Sequence, residues 1–219
     1  MSWRIAGVLG ELLAVCGLVL IGYLAYQKWG KLVEIEDAQA QLDRQLAQNW
    51  QEGPPTATGP PQAAPHQAAP AGSPLTRLSI PRLGLQWTVV EGTDMKSLRA
   101  APGHYRGSQL PGELGNFAVA AHRSPGLFWD LDQVRAGDEI LVEDRNARYV
   151  YRVEEPRIVP PSDSTVLEPV PGQPGAVADA ARITLTTCNP KWDNYERLIV
   201  TGQLESRTEK DVVASGGAP

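Results

Sequence analysis

The sequence predicts a mainly β domain closed into a barrel of about seven or eight short strands, carried on an apolar N-terminal helix by a Pro/Ala-rich spacer. Three observations predict it. Short apolar runs bounded by turn residues recur from residue 75 onward. The stretch 5–26, IAGVLGELLAVCGLVLIGYLAY, is apolar almost throughout. Between them, 53–74 is rich in Pro, Ala and Gly, with no apolar period and almost no charge.

A helix of roughly 20 apolar residues rises about 30 Å, enough to cross the hydrocarbon core of a bilayer. Glu11 is the one charge inside the run, and Trp3, Tyr23, Tyr26 and Trp29 stand near its ends as interfacial aromatics would. No small-x-small site follows, so the run reads as an uncleaved anchor over residues 1–30. Positive charge lies on both sides (Arg4 on one, Lys28 and Lys31 on the other), so charge does not orient it. Residues 31–50 read as helix, because Leu32, Ile35, Leu42 and Leu46 recur at helical spacing. Gln39 falls on the same stripe, which favours a solvated stalk over a coiled coil. With the spacer, residues 31–74 then lift the domain off the membrane.

The folded domain is expected over 75–207. Strands are predicted at 75–80 and 85–90 around a turn at 81–84, then at 116–121. A hairpin follows over 137–144 and 147–155, and 182–188 and 197–205 supply the last strands. A helical turn is expected over 94–101, capped by Thr93 or Asp94. The long connection 156–181 holds one possible helical turn, 164–167, and a loop of that length is usually functional or mobile. The tail, 208–219, is polar and expected to fray.

At 219 residues, 42% of them hydrophobic, the chain can bury one core of ordinary size plus extensions. A net charge of −5 and a pI near 5.3 argue against nucleic acid as the main partner. Three scattered histidines and two separated cysteines build no metal site, and no cofactor motif is present.

Chemistry concentrates at Cys188, which ends the apolar strand ITLTT and precedes Asn189 and Pro190. A thiol at a strand-to-loop junction reaches a cleft, and a nucleophilic thiol needs a base or an electrostatic activator. A free cysteine is about as often a buried small hydrophobe, so its neighbours decide. His66 lies in the spacer and His104 in the turn-rich PGHYRG. His122 closes the apolar strand FAVAA, so imidazole and thiol can face each other at a barrel rim. Arg197 opens the strand after Cys188, and a short antiparallel connection makes the two near neighbours. Its guanidinium could stabilise an oxyanion, with Arg123 beside His122 as the rival.

The segments TLTTC (184–188) and ERLIV (196–200) resemble the TLxTC signature of sortases and its downstream arginine. GNFAVAAHR (115–123) resembles the family's histidine strand, and PGHYRGSQLPGELGN (102–116) is similar to the class E sortases of actinobacteria. The resemblance covers 75–205 and departs from the family at Ala121, where Gly is frequent. It implies a closed eight-stranded β-barrel, with Cys188 as nucleophile, His122 as general acid/base and Arg197 as the oxyanion or substrate-positioning residue. It also implies that Thr187 lines the site and that Tyr105 contacts the sorting signal. By the same resemblance the partners are proteins with a C-terminal LAxTG or LPxTG signal and an amine acceptor of the cell wall. The catalytic domain would stand outside the cell on a single-pass membrane anchor. A tethered cysteine hydrolase using the same pair, and an inert β-barrel surface domain, are the competing readings.

Overall fold

The computed structural model describes residues 2–52 and 69–210. Within the first segment, the side chains of 2–6, 8, 9, 24–29 and 31 are outside the description. The first element is one continuous helix, α1, Ser2–Glu52. Among the described residues nine strands follow: β1 Pro74–Ile80, β2 Leu85–Glu91, β3 Gly103–His104, β4 Gly115–Ala120, β5 Glu139–Glu143, β6 Ala147–Val153, β7 Arg157–Val159, β8 Ala181–Asn189 and β9 Glu196–Glu209.

Eight of them close in the order β6-β5-β1-β2-β3-β4-β8-β9, with β9 returning to β6. The expected eight-stranded barrel is therefore present. β9 closes it by its length. Its later residues pair with β6 over Val153↔Gly202 to Ala147↔Glu209, while Arg197 to Ile199 pair with the ninth strand, β7. Alternation sets the core: Leu78, Ile80, Trp87, Val89, Phe117, Val119, Ile140, Val142, Tyr149, Tyr151, Ile183, Leu185, Leu198 and Val200 point inward and are buried. Trp87 packs edge-on to Phe128 at 5.3 Å and donates its indole N–H to the Gly126 carbonyl at 2.9 Å.

Most elements lie where the sequence places them. The helical turn at Ser164–Leu167 forms with the Asp163 carboxylate accepting from the Thr165 N–H. In the turn at Ser97–Arg99, Asp94 accepts from the N–H groups of Lys96 and Ser97. The two short strands β3 and β7 carry too little pattern to be seen in sequence. Two neighbouring pairs, β2–β3 and β4–β8, are parallel rather than antiparallel. A parallel pair needs a long crossover, which the chain from 121 to 180 supplies between β4 and β8.

The stalk expectation for 31–50 is corrected. This half of α1 packs on the barrel, with Ile35 and Leu46 buried. Gln39, the polar residue on the stripe, accepts from the Thr88 N–H at 2.7 Å and donates to the Ala100 carbonyl at 2.9 Å. Asp43 pairs with Arg77, and Trp50 lies under the cations of Arg77 and Lys210. The stripe was apolar because it faces a protein surface, and Gln39 belongs to it because the edge of β2 there offers an unpaired amide. Among the described residues, no helix is long and apolar enough to cross a membrane. The expected span 5–26 falls partly outside the described side chains, as do most of the spacer (53–68, with His66) and the tail beyond 210.

Burial and the nearby Asp144 carboxylate push the Tyr149 phenol up from 10.0 to about 12; its hydroxyl donates to Asp144 Oδ2 at 2.8 Å. A phenol raised in the folded state stabilises fully below its unfolded value and loses that contribution as pH climbs through the folded value. The thermal midpoint is therefore expected to fall as pH rises from 10.0 to about 12, and Tyr149→Phe to flatten that fall in circular-dichroism melts. An unchanged slope in the variant would count against this contact.

Candidate active site

β4 and β8 run side by side in parallel register, Gly115↔Ala181 through Ala120↔Thr186. The pairing continues one step further, as the Ala121 N–H donates to the Thr186 carbonyl at 3.1 Å. Carried on by one more residue, this register brings His122 level with Cys188. The faces agree. Phe117, Val119 and Ala121 belong to the core, so Ala118, Ala120 and His122 face outward. Ile183 and Leu185 belong to the core, so Thr184, Thr186 and Cys188 face outward as well. On the far side of Cys188, β9 is antiparallel and Arg197 is its direct partner. Side chains of such a pair share one face, with Cβ atoms about 5 Å apart. His122, Cys188 and Arg197 thus stand in a row across three neighbouring strands, on the outer surface of the barrel. They adjoin along the sheet rather than facing each other across a rim.

His122 and Cys188 are half-buried and line one cleft of about 890 Å³. Arg99, Arg123, Ser124, Pro125, Lys191, Trp192, Asp193 and Asn194 complete its barrel side. Arg197 is in register, but its Nη1 donates to the carbonyls of Asn194 and Glu196, at 2.7 and 2.8 Å. That holds its guanidinium on the β8–β9 turn at the edge of the site. Cys188 and Cys16 are both free thiols.

The rival arginine has a different part. Arg123 is buried, and its Nη1 donates to Asn189 Oδ1 at 2.7 Å and to the Cys188 carbonyl at 3.3 Å. Its Nε donates to the Trp129 carbonyl at 3.3 Å, and Nη2 pairs with Asp132 at 3.1 Å. One planar cation therefore ties the residue after His122 to the backbone of Cys188 and to the turn Phe128–Gln133. Asn189 passes the link on by donating to Glu196 Oε2 at 2.8 Å. Lys191 reinforces the same turn through Asp130 and Asp132, at 3.0 and 3.3 Å. Burial works against its charge, but the two carboxylates outweigh burial and hold its pKa above 10.5.

Thr187 is buried beneath the row, and its hydroxyl donates to the Ala121 carbonyl at 2.8 Å. It sews the histidine strand to the cysteine strand from the core side and is not among the residues lining the cleft. Tyr105 is half-buried, with its N–H on the Ala118 carbonyl. His122 lies four positions beyond Ala118, about 13 Å along the extended chain, and Tyr105 does not line this cleft. The loop carrying Tyr105 is braced by His104, which is buried between Glu91 Oε2 at 3.0 Å and Ser108 Oγ at 2.9 Å. Sequence reasoning missed the brace made by Arg123, Asn189 and Asp132. Its available signal was an arginine directly after the histidine and an amide directly after the cysteine. It also missed that α1 reaches the cleft, which Glu34 and Ile35 line.

The fold and the site agree with what the chain is similar to. A family model described as the sortase domain matches residues 78–205. Sortase SrtE2 of Streptomyces coelicolor is 32% identical over 93% of this chain and 83% of its own length. Sortase SrtE1 of the same organism is 30% identical over 90% of this chain, which spans only 56% of that relative. The crystal structure of sortase E1 from that organism, with a tripeptide in its active site, superposes with a TM-score of 0.59. It is 31% identical and covers 63% of this chain and 91% of its own.

Because Arg123 ties both strand ends, Arg123→Lys should disturb the site while keeping the charge. An ammonium cannot span Asn189, the Cys188 carbonyl, the Trp129 carbonyl and Asp132 together. Loss of about 1–3 kcal/mol of stability is expected in denaturant titration, with a fall in turnover of at least about tenfold. Wild-type values for both would show that the brace is not needed.

Proposed function

The chain belongs to the sortase family, whose members are cysteine transpeptidases, and on that premise we propose that it cleaves a C-terminal sorting signal and joins the new carboxyl end to an amine. The observation that carries the reading is the row of His122, Cys188 and Arg197 at one level of three neighbouring strands, with thiol and imidazole opening into one cleft. The signal is of the LAxTG or LPxTG type, cut between Thr and Gly.

The Cys188 thiolate attacks the Thr carbonyl carbon, and the carbonyl pair moves onto oxygen. Arg197 stabilises that oxyanion through Nε or Nη2, since Nη1 is committed to the turn carbonyls. Collapse breaks the Thr–Gly bond while protonated His122 gives its proton to the departing Gly nitrogen. A thioacyl-enzyme on Cys188 remains. The acceptor amine then attacks, His122 takes its proton, and the thiolate leaves as the new amide forms. Neither half needs a metal or a cofactor.

The apolar part of α1 anchors this machinery in the membrane, with the barrel on the outer side of the cell. Supporting this, Leu12, Leu13, Val15, Leu18, Val19, Leu20 and Ile21 are each more than half exposed on a helix that extends well beyond the barrel. Lipid covers such a surface at no cost, whereas water does not. The helix also sets the height of the site. Ile35 lines the cleft nine residues past residue 26, so the cleft stands only about 13 Å beyond the end of the apolar run. That position suits an acceptor amine carried on a membrane-borne cell-wall precursor.

The test uses the full chain in detergent micelles, with LAxTG and LPxTG peptides, with and without diglycine, read by mass spectrometry. Cleavage at Thr–Gly with transfer to diglycine is expected. Cys188→Ala should abolish both, His122→Gln should slow them by about 10²–10⁴-fold, and Arg197→Lys by about 10²-fold. Release to water alone, with diglycine never incorporated, would make the protein a hydrolase and sink the transpeptidase reading.

A further inference from the structure

One wall of the catalytic cleft does not come from the barrel. Glu34 and Ile35 of α1 form it, and at the rim Glu34 meets Arg99 from the turn Ser97–Arg99 of the barrel domain. The contact is built at several points along the helix. Ile35 is only 8% exposed. It packs with Leu32 against Gly126, where a Cβ would meet the side chains of both at 3.3 Å. Gly126 is itself held by the indole N–H of Trp87. One turn further along α1, Gln39 saturates the Thr88 N–H and the Ala100 carbonyl, and the next turn brings Asp43 to Arg77. At the rim, Glu34 Oε1 pairs with Arg99 Nη2 at 2.8 Å.

Two features of this wall bear on function rather than on folding. The Glu34–Arg99 pair is largely exposed, at 56% and 75% of its side chains. Such a pair adds little to stability, typically about 0–1 kcal/mol. Its place on the lining of the cleft is therefore the more informative fact. The chain also places partly buried polar contacts at Gln39 and at Asp43, which keep α1 in one rotation and one register on the barrel. A helix serving only as a tether would need neither.

We propose that α1 is a working wall of the substrate cleft: Ile35 gives the bound sorting signal an apolar contact opposite Cys188 and His122, and the Glu34–Arg99 pair fixes the position of that wall. The proposal rests on the transpeptidase reading above. It makes residues 32–39 determinants of how well a peptide binds, without a part in the chemistry at the thiol. It also means that a fragment beginning at residue 75 lacks one side of its own binding cleft.

The experiment uses the full chain in detergent micelles and steady-state kinetics with the better of the two signal peptides. Glu34→Lys and Arg99→Glu each break the rim pair with like charges, and the double variant restores it with the charges exchanged. Gln39→Ala loosens the same wall from a position that does not line the cleft. Each single change is expected to raise KM at least about fivefold with kcat altered less than about twofold, the pattern of lost binding shared by ground and transition states. The double exchange is expected to return KM to within about twofold of the wild type. Thermal melts run beside them, so that a loss of fold is not mistaken for a loss of binding. Unchanged KM in Glu34→Lys, Arg99→Glu and Gln39→Ala, with the wild type turning over normally, overturns this proposal alone. A wild type that processes no signal peptide would instead count against the transpeptidase reading on which it stands.

Discussion

The parallel pairing of β4 with β8 is the constraint on which the site depends. Its register runs without a shift from Gly115↔Ala181 to Ala120↔Thr186, then on through the Ala121 amide. Because side chains alternate along a strand, a slip of one residue would turn either His122 or Cys188 into the core. Three contacts guard against that slip from different directions. The Thr187 hydroxyl holds the Ala121 carbonyl from the core side, and Arg123 holds the Cys188 carbonyl and Asn189 from the loop side. The antiparallel partner β9 then fixes Arg197 against Cys188. The row of His122, Cys188 and Arg197 is a by-product of backbone pairing, so no long flexible loop has to find its place to assemble it.

The core strands were legible because their periods are strong and their ends carry Gly, Pro and Asn. The pair Cys188 and His122 was legible because both stand at the ends of apolar strands, where a polar side chain has no structural reason to be. What the sequence hid was contact between elements. A stripe at 32, 35, 39, 42 and 46 says that one helix face is special, but not what covers it. Here the cover is β1 and β2, and the one polar residue of the stripe, Gln39, meets backbone groups at Thr88 and Ala100. Arg123 was equally opaque. Local sequence makes it a rival oxyanion donor, and only the buried environment, with four polar partners already in place, turns it into a brace. Parallel pairing was hidden too, since a buried parallel strand and a buried antiparallel one read alike.

Continuity of α1 changes how the molecule works as a whole. A Pro/Ala-rich spacer between an expected anchor and the domain suggests a site held at a distance on a semi-rigid, extended arm. In the structure the helix itself passes onto the barrel, with Ile35 and Leu46 buried against it. The cleft wall at Glu34 and Ile35 belongs to the same helix as the apolar run and lies a few turns from it. With α1 anchored as proposed, substrate and acceptor would meet the site at a height set by helical rise, not by the reach of an extended spacer.

The central claim is that Cys188, served by His122, is the attacking atom. The most direct measurement is an acid-quenched reaction of the full chain with a signal peptide in the absence of amine, followed by digestion and mass spectrometry. The account predicts the peptide, truncated after Thr, bound as a thioester on Cys188, and a much slower appearance of that adduct in His122→Gln. An adduct on another residue, or cleavage at Thr–Gly that persists in Cys188→Ala, would contradict it.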